Sequence, residues 1–384
     1  MNLDSTDFMQ DFPKNKKIYL NNASTSLMPF SSIDAMKSFL VNYSTMGPDS
    51  IESEGFLKEK LIQIRKTISN LIHCRPEEII FTQSTTDGVN LVANGLTFNP
   101  TSNIVIRGMG HEHHANYYPW LRLSKKLTLK SLKTDLNGFF DIKELHNLVD
   151  KNTKCVALSH ALYNTGAILP VEEIGEYLEK NNVPYFIDSA QTVGCIGEYD
   201  FKKTKSSFMS FNGSKWLCGP MGTGIFYCKK EFSKLIEPSS IGGESAMIYD
   251  EKSLAYKDIP DKFQTGFRNY VGFVGLDASI NYLLKFGLNN ILRKITKLSN
   301  QLRDELLKLS SITLFGPEEQ SKRTSIVSFS IDGQEPQKIV EVLEKKKIVI
   351  AVREIMDKKI LRVSPHFFNS EEEIQKVVDE IRKL

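Results

Sequence analysis

The residue best suited to covalent chemistry, Lys215, stands in a glycine-rich segment at residues 212–224 (NGSKWLCGPMGTG). This segment is not a P-loop, because no glycine directly precedes the lysine with Ser or Thr after it. Nor is it a dinucleotide fingerprint, because its later glycines read G-x-x-G-x-G. A single lysine in a tight turn suits a Schiff-base nucleophile, whose amine must lie close to an aldehyde and be partly desolvated. Taken alone, the segment fits a surface lysine in a glycine-rich turn equally well.

A carboxylate and an amide follow the strand-like run PYFID at residues 184–188. Asp188 ends that run, and ligands of open α/β sheets bind at the carboxyl ends of the strands. A carboxylate there can pair with a pyridinium nitrogen and keep the ring able to accept electrons. Gln191 would then reach a phenolic oxygen of the same ring. The alternative for Asp188 is a helix N-cap, which is compatible with this role.

Hydroxyl side chains are concentrated at residues 84–90 (STTDGVN), between an apolar run and a helical pattern. Such side chains and the free N–H groups of a helix N-terminus form an anion site. The functional interpretation is a phosphate cradle. The alternative is an ordinary Ser/Thr helix cap.

Histidines are concentrated at residues 111–116 (HEHHAN), just after the strand-like run at residues 103–107. The zinc signature H-E-x-x-H fails because Ala115 stands where its second histidine is required, so we expect no metal. The preferred interpretation is an imidazole stacked on a flat aromatic cofactor. The alternative is a set of surface or capping histidines.

The elements that must position these residues alternate between strands and helices. Short apolar runs at residues 103–107, 154–159, 184–188, 207–211 and 224–228 lack polar alternation. This is typical of strands buried on both faces. Helical patterns such as residues 171–180 lie between them, which predicts an α/β sheet flanked by helices.

The pattern changes after about residue 281. Residues 291–309 are amphipathic at helical spacing. Strand-like runs follow at 326–331, 347–352 and 360–363, and then a helix at 371–384, which Ser370 is expected to cap together with Glu373. These segments predict a smaller α+β domain.

Composition narrows the classes of function. The net charge of +3 is dispersed in short runs, so we expect no nucleic-acid partner. No apolar run reaches membrane-spanning length, and the polar N-terminus does not have the pattern of a signal peptide. The five cysteines form no CxxC pair, which favours a reducing, cytoplasmic location.

Together and in this order, these motifs resemble the class V aminotransferase superfamily of fold-type I pyridoxal 5'-phosphate (PLP) enzymes. That group includes cysteine desulfurases, isopenicillin N epimerase and kynureninase. The likeness runs from about Ile18 to Asn369. The matching landmarks are residues 19–23, 85–88, 112–116, Asp188 with Gln191, 213–215, 266–269 and 361–366.

The resemblance implies a large, mostly parallel-sheet PLP domain (residues 21–282) and a smaller α+β C-terminal domain (283–384). It also implies that residues 1–20 pack with the small domain, that the enzyme is a homodimer and that its substrate is an amino acid.

The resemblance also assigns residue roles. Lys215 would hold PLP as a Schiff base and later move protons, and His113 would stack on the ring. Asp188 and Gln191 would face the ring nitrogen and the phenolic oxygen. Thr86 would hold the phosphate, with the backbone near Thr85. The residues expected to bind the substrate are Arg362, which would bind its carboxylate, and Tyr163 and Asn22.

Three departures from the family pattern concern cofactor and substrate contacts. Ser214 stands where many relatives have histidine, and its hydroxyl is expected to bond the cofactor phosphate without adding a positive charge. Asn212, which is also expected to bind the cofactor, replaces a frequent serine. At residues 266–269, Phe267 and Arg268 replace the Thr-x of Gly-Thr-x-Asn, so a backbone N–H or Arg268 would have to contact the partner subunit's phosphate. Tyr163 stands where desulfurases have asparagine, and an aromatic residue at this position is closer to the kynureninase-like members.

The cysteine pattern bears on the reaction. Desulfurases use a mobile cysteine just before the carboxylate-binding arginine, but no cysteine follows Cys228 here, and the segment at residues 353–362 is short. We therefore expect a desulfurase-like lyase acting on a C–S or C–Se bond without that cysteine. An aminotransferase or epimerase is the alternative, and a non-catalytic PLP-fold sensor or partner protein is a more remote one.

Overall fold

The computed structural model describes residues 3, 8–250 and 252–384. Its helices are α1 (Phe30–Thr45), α2 (Ile51–Ile72), α3 (Thr85–Gly95), α4 (His114–Leu121), α5 (Ile142–Leu148), α6 (Val171–Lys180), α7 (Tyr270–Phe286), α8 (Leu288–Leu307), α9 (Pro336–Lys345) and α10 (Glu371–Ile381). Its strands are β1 (Ile18–Tyr19), β2 (Ile79–Thr82), β3 (Asn103–Arg107), β4 (Thr128–Leu132), β5 (Thr153–Ser159), β6 (Tyr185–Asp188), β7 (Phe208–Asn212), β8 (Gly224–Cys228), β9 (Ala246–Asp250), β10 (Ser253–Tyr256), β11 (Ile312–Phe315), β12 (Val327–Ile331), β13 (Ile348–Val349), β14 (Ala351–Ile355) and β15 (Lys358–Val363).

Within the described residues, the larger sheet has seven strands in the order β2-β8-β7-β6-β5-β3-β4. Only β8 runs antiparallel to its neighbours. The strands predicted at 103–107 and 224–228 have the observed bounds, and β5, β6 and β7 begin within one residue of prediction. The expected large, mostly parallel sheet flanked by helices is confirmed.

The larger sheet is buried on both faces. One apolar cluster includes Val105, Val156 and Ile187, and the opposite cluster includes Ile106 and Phe186. Alternate residues of each strand therefore contact different cores. This explains why the strand sequences show no polar alternation.

The smaller sheet has the order β11-β12-β15-β14 and is antiparallel. It packs with α8, α9 and α10 around a third apolar cluster. The single strand predicted at 347–352 is instead two: β13 pairs in parallel with β1, whereas β14 pairs with β15. Ser370 and Glu373 form the predicted capping box of α10.

The predicted division at residue 282 falls inside α7, which continues to Phe286. Leu20 packs in the apolar cluster of the small domain, whereas Phe8 contacts Phe286 and Phe367 within the large cluster. Residues 1, 2 and 4–7 of the predicted N-terminal segment lie outside the described residues. Over the residues that are described, no helix is both long and apolar enough to cross a membrane.

Candidate active site

A pocket of about 290 Å³ opens where β5, β6 and β7 end at the larger sheet's carboxyl edge. Ser159 and Asp188 lie opposite each other in neighbouring strands, so they reach this edge together. The pocket is lined by Ala23, Ser24, Ser84, Thr85, Thr86, His113, Ala115, Ser159, Ala161, Tyr163, Asp188, Ala190, Gln191, Asn212, Lys215, Arg353 and Arg362.

Lys215 is held by a loop that hydrogen-bonds to itself. The N–H of Gly213 donates to Thr223 O at 2.7 Å, and the N–H of Gly219 donates to Gly213 O at 2.8 Å. Burial lowers the pKa of Lys215 to about 8; Asp188 opposes the shift, and Arg362 and Arg353 add to it. A large fraction of the amine is therefore neutral near pH 8 and able to act as a nucleophile.

Asp188 is buried at the end of β6, where its Oδ1 accepts a hydrogen bond from the N–H of Ala190 at 2.9 Å. Burial raises the pKa of Asp188 to about 6, against the opposing effects of Lys215 and of this N–H group. A cationic ring nitrogen placed beside this carboxylate would favour its ionised form.

The first turn of α3 faces the pocket through Thr85 and Thr86. Ser84 caps the helix, and its side chain accepts a hydrogen bond from the N–H of Asp87 at 3.2 Å. A Cβ on Gly88 would lie 2.2 Å from Ser210 Oγ, so only glycine lets α3 come this close to β7. The N–H groups of Thr85 and Thr86, which precede Asp87 in the helix, have no partner within the helix and are available to an anion.

His113 caps α4, and its Nδ1 accepts a hydrogen bond from the N–H of Ala115 at 3.1 Å. Desolvation lowers the pKa of His113 to about 3, and the positive charge of Lys215 adds to the shift. The ring is therefore neutral with its proton on Nε2. The ring of Tyr163 meets it edge-on at a centroid distance of 4.7 Å.

The buried Arg362 lies on β15 and is fixed by three hydrogen bonds. Its Nη1 donates to Tyr163 O at 2.8 Å, and its Nη2 donates to Asn21 Oδ1 at 3.0 Å and to Ser24 Oγ at 2.6 Å. Its buried Nε has no partner among the described residues. Burial lowers the pKa of Arg362 well below its usual value, and nearby Arg353 adds to the shift.

The pocket thus contains most of the predicted site residues: Thr85, Thr86, His113, Tyr163, Asp188, Gln191, Asn212, Lys215 and Arg362. The segments that carry them are widely separated in the sequence, and the sheet edge and the small domain bring them together.

Four predicted residues are not in the pocket lining. The amide of Asn22 is used elsewhere, because it donates to Ser364 O at 2.9 Å and accepts from Ser26 Oγ at 2.9 Å. The carbonyl of Ser214 accepts from the N–H of Ser26 at 2.7 Å. Phe267 and Arg268 line a separate recess, where Arg268 pairs with Glu244. Their contact with a partner subunit stays a prediction.

Sequence reasoning missed Ser24 and Arg353, which both line the pocket. The sequence feature that could have revealed Arg353 is the hairpin formed by β14 and β15. Pairing these two strands across a turn at Asp357 would have placed Arg353 on the same face of the small sheet as Arg362.

Comparison with known proteins shows to which family this chain belongs. A family model described as "Aminotransferase class-V" matches residues 18–377. The chain belongs to the class V aminotransferase family. A relative in Pyrococcus abyssi, named "Probable cysteine desulfurase", is 32% identical over 98% of this chain and 97% of its own length.

Solved structures agree with the family assignment. A structure of an apo cysteine desulfurase from Thermococcus onnurineus NA1 is 29% identical, covers 99% of this chain and 98% of that one, and has a TM-score of 0.91. A complex of the cystine C–S lyase C-DES with cysteine persulfide is 23% identical, covers 95% of this chain and 97% of that one, and has a TM-score of 0.87. At this lower identity, the second likeness shows the fold alone.

The chain is accordingly a PLP-dependent, desulfurase-like enzyme. Its pocket fits that cofactor. Thr85 Oγ1 and Asn212 Oδ1 are buried without a partner among the described residues, and both belong to the lining. The buried carboxylate of Asp188 suits a ring nitrogen, and the N-terminus of α3 suits a phosphate. The described residues contain no group of three His, Cys, Asp or Glu side chains that could hold a metal ion.

Proposed function

We propose that this enzyme is a lyase that breaks a C–S or C–Se bond of an amino acid by elimination, without a catalytic cysteine. The observation that carries this proposal is the turn between β14 and β15. Ile355 pairs with Lys358, so only Met356 and Asp357 connect the strand of Arg353 to that of Arg362. Such a turn has no room for a loop that would carry a thiol into the pocket.

The positions of the cysteines support the same proposal. All five lie in the described part of the chain, and none lines the pocket. Cys218, three residues after Lys215, is fully buried with its Sγ 3.4 Å from Ser26 Oγ and 3.5 Å from His366 Nε2. Burial raises the pKa of Cys218 to about 12, so its thiol is not an available thiolate nucleophile.

The proposed cofactor site uses the pocket residues directly. Lys215 Nζ would bind the aldehyde carbon, Asp188 would hold the proton of the ring nitrogen, and the imidazole of His113 would cover one ring face. Thr85, Thr86 and Asn212 would surround the phosphate. Bound PLP supplies an electron-accepting ring that stabilises the charge left when a bond to Cα breaks.

Arg362 would hold the substrate carboxylate through donors that the protein leaves free, including the buried Nε. Lys215 Nζ would take the Cα proton, and the Cβ–S bond would then break with its electron pair leaving on sulfur. The remaining three-carbon enamine is hydrolysed by one water to pyruvate and ammonia. This series of reaction steps needs no external oxidant or reductant.

Product analysis tests this proposal. The PLP-loaded protein is incubated with L-cysteine, L-cystine and L-selenocysteine, and pyruvate, ammonia, sulfide and alanine are measured together. We expect equal amounts of pyruvate and ammonia and no alanine. Alanine with a protein-bound persulfide would refute the proposal. A new keto acid without ammonia would indicate an aminotransferase, and inversion at Cα would indicate an epimerase.

A further inference from the structure

A fully buried cation, Arg107, lies outside the active-site pocket. It ends β3, and the lining of the pocket does not include it. Val105 lies two residues earlier on the same face of β3, and Leu132 pairs with Arg107 from β4; both belong to one apolar cluster. The guanidinium therefore extends from the sheet into a core of apolar side chains. A charge in such a place is costly unless another group compensates it.

The N–H donors of Arg107 face no acceptor in the described part of the chain. Nε, Nη1 and Nη2 are all buried there without a hydrogen-bond partner. Burial lowers the pKa of Arg107, and the charge of Glu112 opposes this shift. The oxygens of Glu112 nevertheless accept from the N–H of Ser159 at 3.2 Å, from the Ser159 hydroxyl and from the N–H of His113 at 3.3 Å. Unsatisfied buried groups of this kind often mark the position of an ordered water or ion.

Tyr185 adds a further donor on the same face of the sheet. Val156 pairs with Tyr185 on one side and with Val105 on the other, and all three belong to the same apolar cluster. The hydroxyl of Tyr185 is buried without a partner among the described residues. Burial raises the pKa of Tyr185, and the charge of Arg107 opposes this shift. The phenol and the guanidinium are therefore close enough to act on one ligand.

The surroundings of these two side chains are closed to solvent. Arg107, Tyr185 and His111 are each 0% or less than 1% exposed. The ring of His111 packs against the turn at Gly138, where a Cβ would lie 3.2 Å from the ring and 2.1 Å from Leu162 Cδ1, so only glycine lets this turn close. Burial lowers the pKa of His111, and the charge of Arg107 adds to the shift. The imidazole is therefore neutral and supplies no counter-charge.

The number of donors favours an anion over water as the partner of these groups. The guanidinium carries five N–H groups and the phenol carries one O–H. A buried water accepts hydrogen bonds, but it brings two hydrogens of its own that need acceptors in turn. A halide ion accepts several hydrogen bonds and donates none. Its charge also compensates the buried cation.

We propose that Arg107 and Tyr185 form a binding site for a small monovalent anion such as chloride, enclosed in the core of the large domain. Arg107 supplies the charge, and Tyr185 supplies a directed O–H donor. The two strands that carry them lead to active-site residues, because β3 is followed by the segment of His113 and β6 ends at Asp188. The anion would thus stabilise the part of the sheet that positions both residues, without contacting the substrate.

The dependence of stability on chloride tests the site. The melting temperature of the PLP-loaded protein is measured while sodium gluconate is replaced by sodium chloride at constant ionic strength, because gluconate is too large for an enclosed site. Above the dissociation constant, each tenfold increase in chloride should raise the melting temperature by about 2 °C, as for a ligand that binds only the folded state of a chain of this length. Equal melting temperatures in the two salts would overturn the proposal.

Two variants locate the effect. Arg107→Met replaces the cation with an apolar chain and should abolish the dependence on chloride. Tyr185→Phe removes one hydroxyl and should shift the dependence to chloride concentrations roughly 10- to 100-fold higher, as for a hydrogen bond to a charged group. Arg382→Gln and Tyr177→Phe are the matched controls and should keep the wild-type dependence. Arg382 is a cation at the protein surface, and the hydroxyl of Tyr177 donates to His146 O at 3.4 Å.

A crystal grown in bromide locates the ion directly. Anomalous scattering should place one bromide within hydrogen-bond distance of Arg107 and Tyr185. A water at that position, without an anomalous signal, would overturn the proposal even if Arg107→Met failed to fold. Chloride that stabilised the wild type and both variants equally would show binding at the arginines of the active-site pocket instead, and this too would overturn it. Neither result bears on the lyase proposal, which product analysis tests separately.

Discussion

Trp216 donates its indole N–H to Gln191 Oε1 at 2.8 Å, which links the residue after Lys215 to an amide in the pocket lining. Gln191 Nε2 donates to Ala23 O at 2.9 Å, so these partners fix the orientation of the amide. The second hydrogen of Nε2 is left for an acceptor in the pocket. This geometry suits the predicted contact of Gln191 with the phenolic oxygen of the cofactor.

Removing the indole N–H should destabilise the fold. We expect Trp216→Phe to lower the free energy of unfolding by about 1–3 kcal/mol, because a buried amide oxygen loses its donor. Urea unfolding of the protein without cofactor measures the loss. The double variant with Gln191→Met should cost less than the sum of the single variants, since neither partner is then left unsatisfied. Strict additivity would show that the hydrogen bond contributes nothing measurable.

Cofactor attachment should depend on pH through Lys215. Only the neutral amine attacks an aldehyde, and the pKa of Lys215 is about 8. The rate of covalent PLP attachment should therefore rise about tenfold per pH unit below pH 8 and level off above it. Stopped-flow absorbance measures this rate, and Lys215→Ala should show no covalent step. A rate that is constant between pH 6 and 9 would contradict the assignment. His113, whose pKa is about 3, does not titrate in this range, and Asp188, whose pKa is about 6, titrates only at its lower end.

Turnover should survive removal of every thiol. We expect the variant with Cys74, Cys155, Cys195, Cys218 and Cys228 replaced by Ser or Ala to keep kcat within roughly tenfold, since loss of a true nucleophile costs several orders of magnitude. Pyruvate formation from L-cystine measures this. Because Cys218 is fully buried, Cys218→Ala is examined alone for stability. If replacing a single cysteine abolished activity in a variant that stays folded, that cysteine would be a catalytic thiol.

A homodimer is expected to bring residues 266–269 near the partner's cofactor. Phe267 is 81% exposed, as is Ile248 on the β9–β10 hairpin, and both suit burial in an interface. Light scattering should give a dimer mass, and Arg268→Ala should weaken PLP retention on dialysis more than it alters substrate selectivity. Glu244→Gln is the control, because it removes the ion pair with Arg268 and keeps the cation. A fully active monomer would rule out this arrangement.

The sequence alone predicted the parts of the site that depend on local pattern. Asp188 ends a strand that is buried on both faces, the hydroxyl run at residues 84–86 begins α3, and Lys215 stands in a turn closed by glycines. Ser370 and Glu373 cap α10 as their spacing requires. Each of these features is set within a few residues, because periodicity, capping and turn formation are local effects.

Only the tertiary structure decided which distant residues meet. Ser24 near the N-terminus contacts Arg353 and Arg362 because β1 joins β13 and the small domain brings its hairpin to the larger sheet. The same packing uses both polar atoms of Asn22 in structural hydrogen bonds and removes it from the pocket lining. Contacts of this kind depend on strand register and domain packing. Neither is encoded in the spacing of residues along the chain.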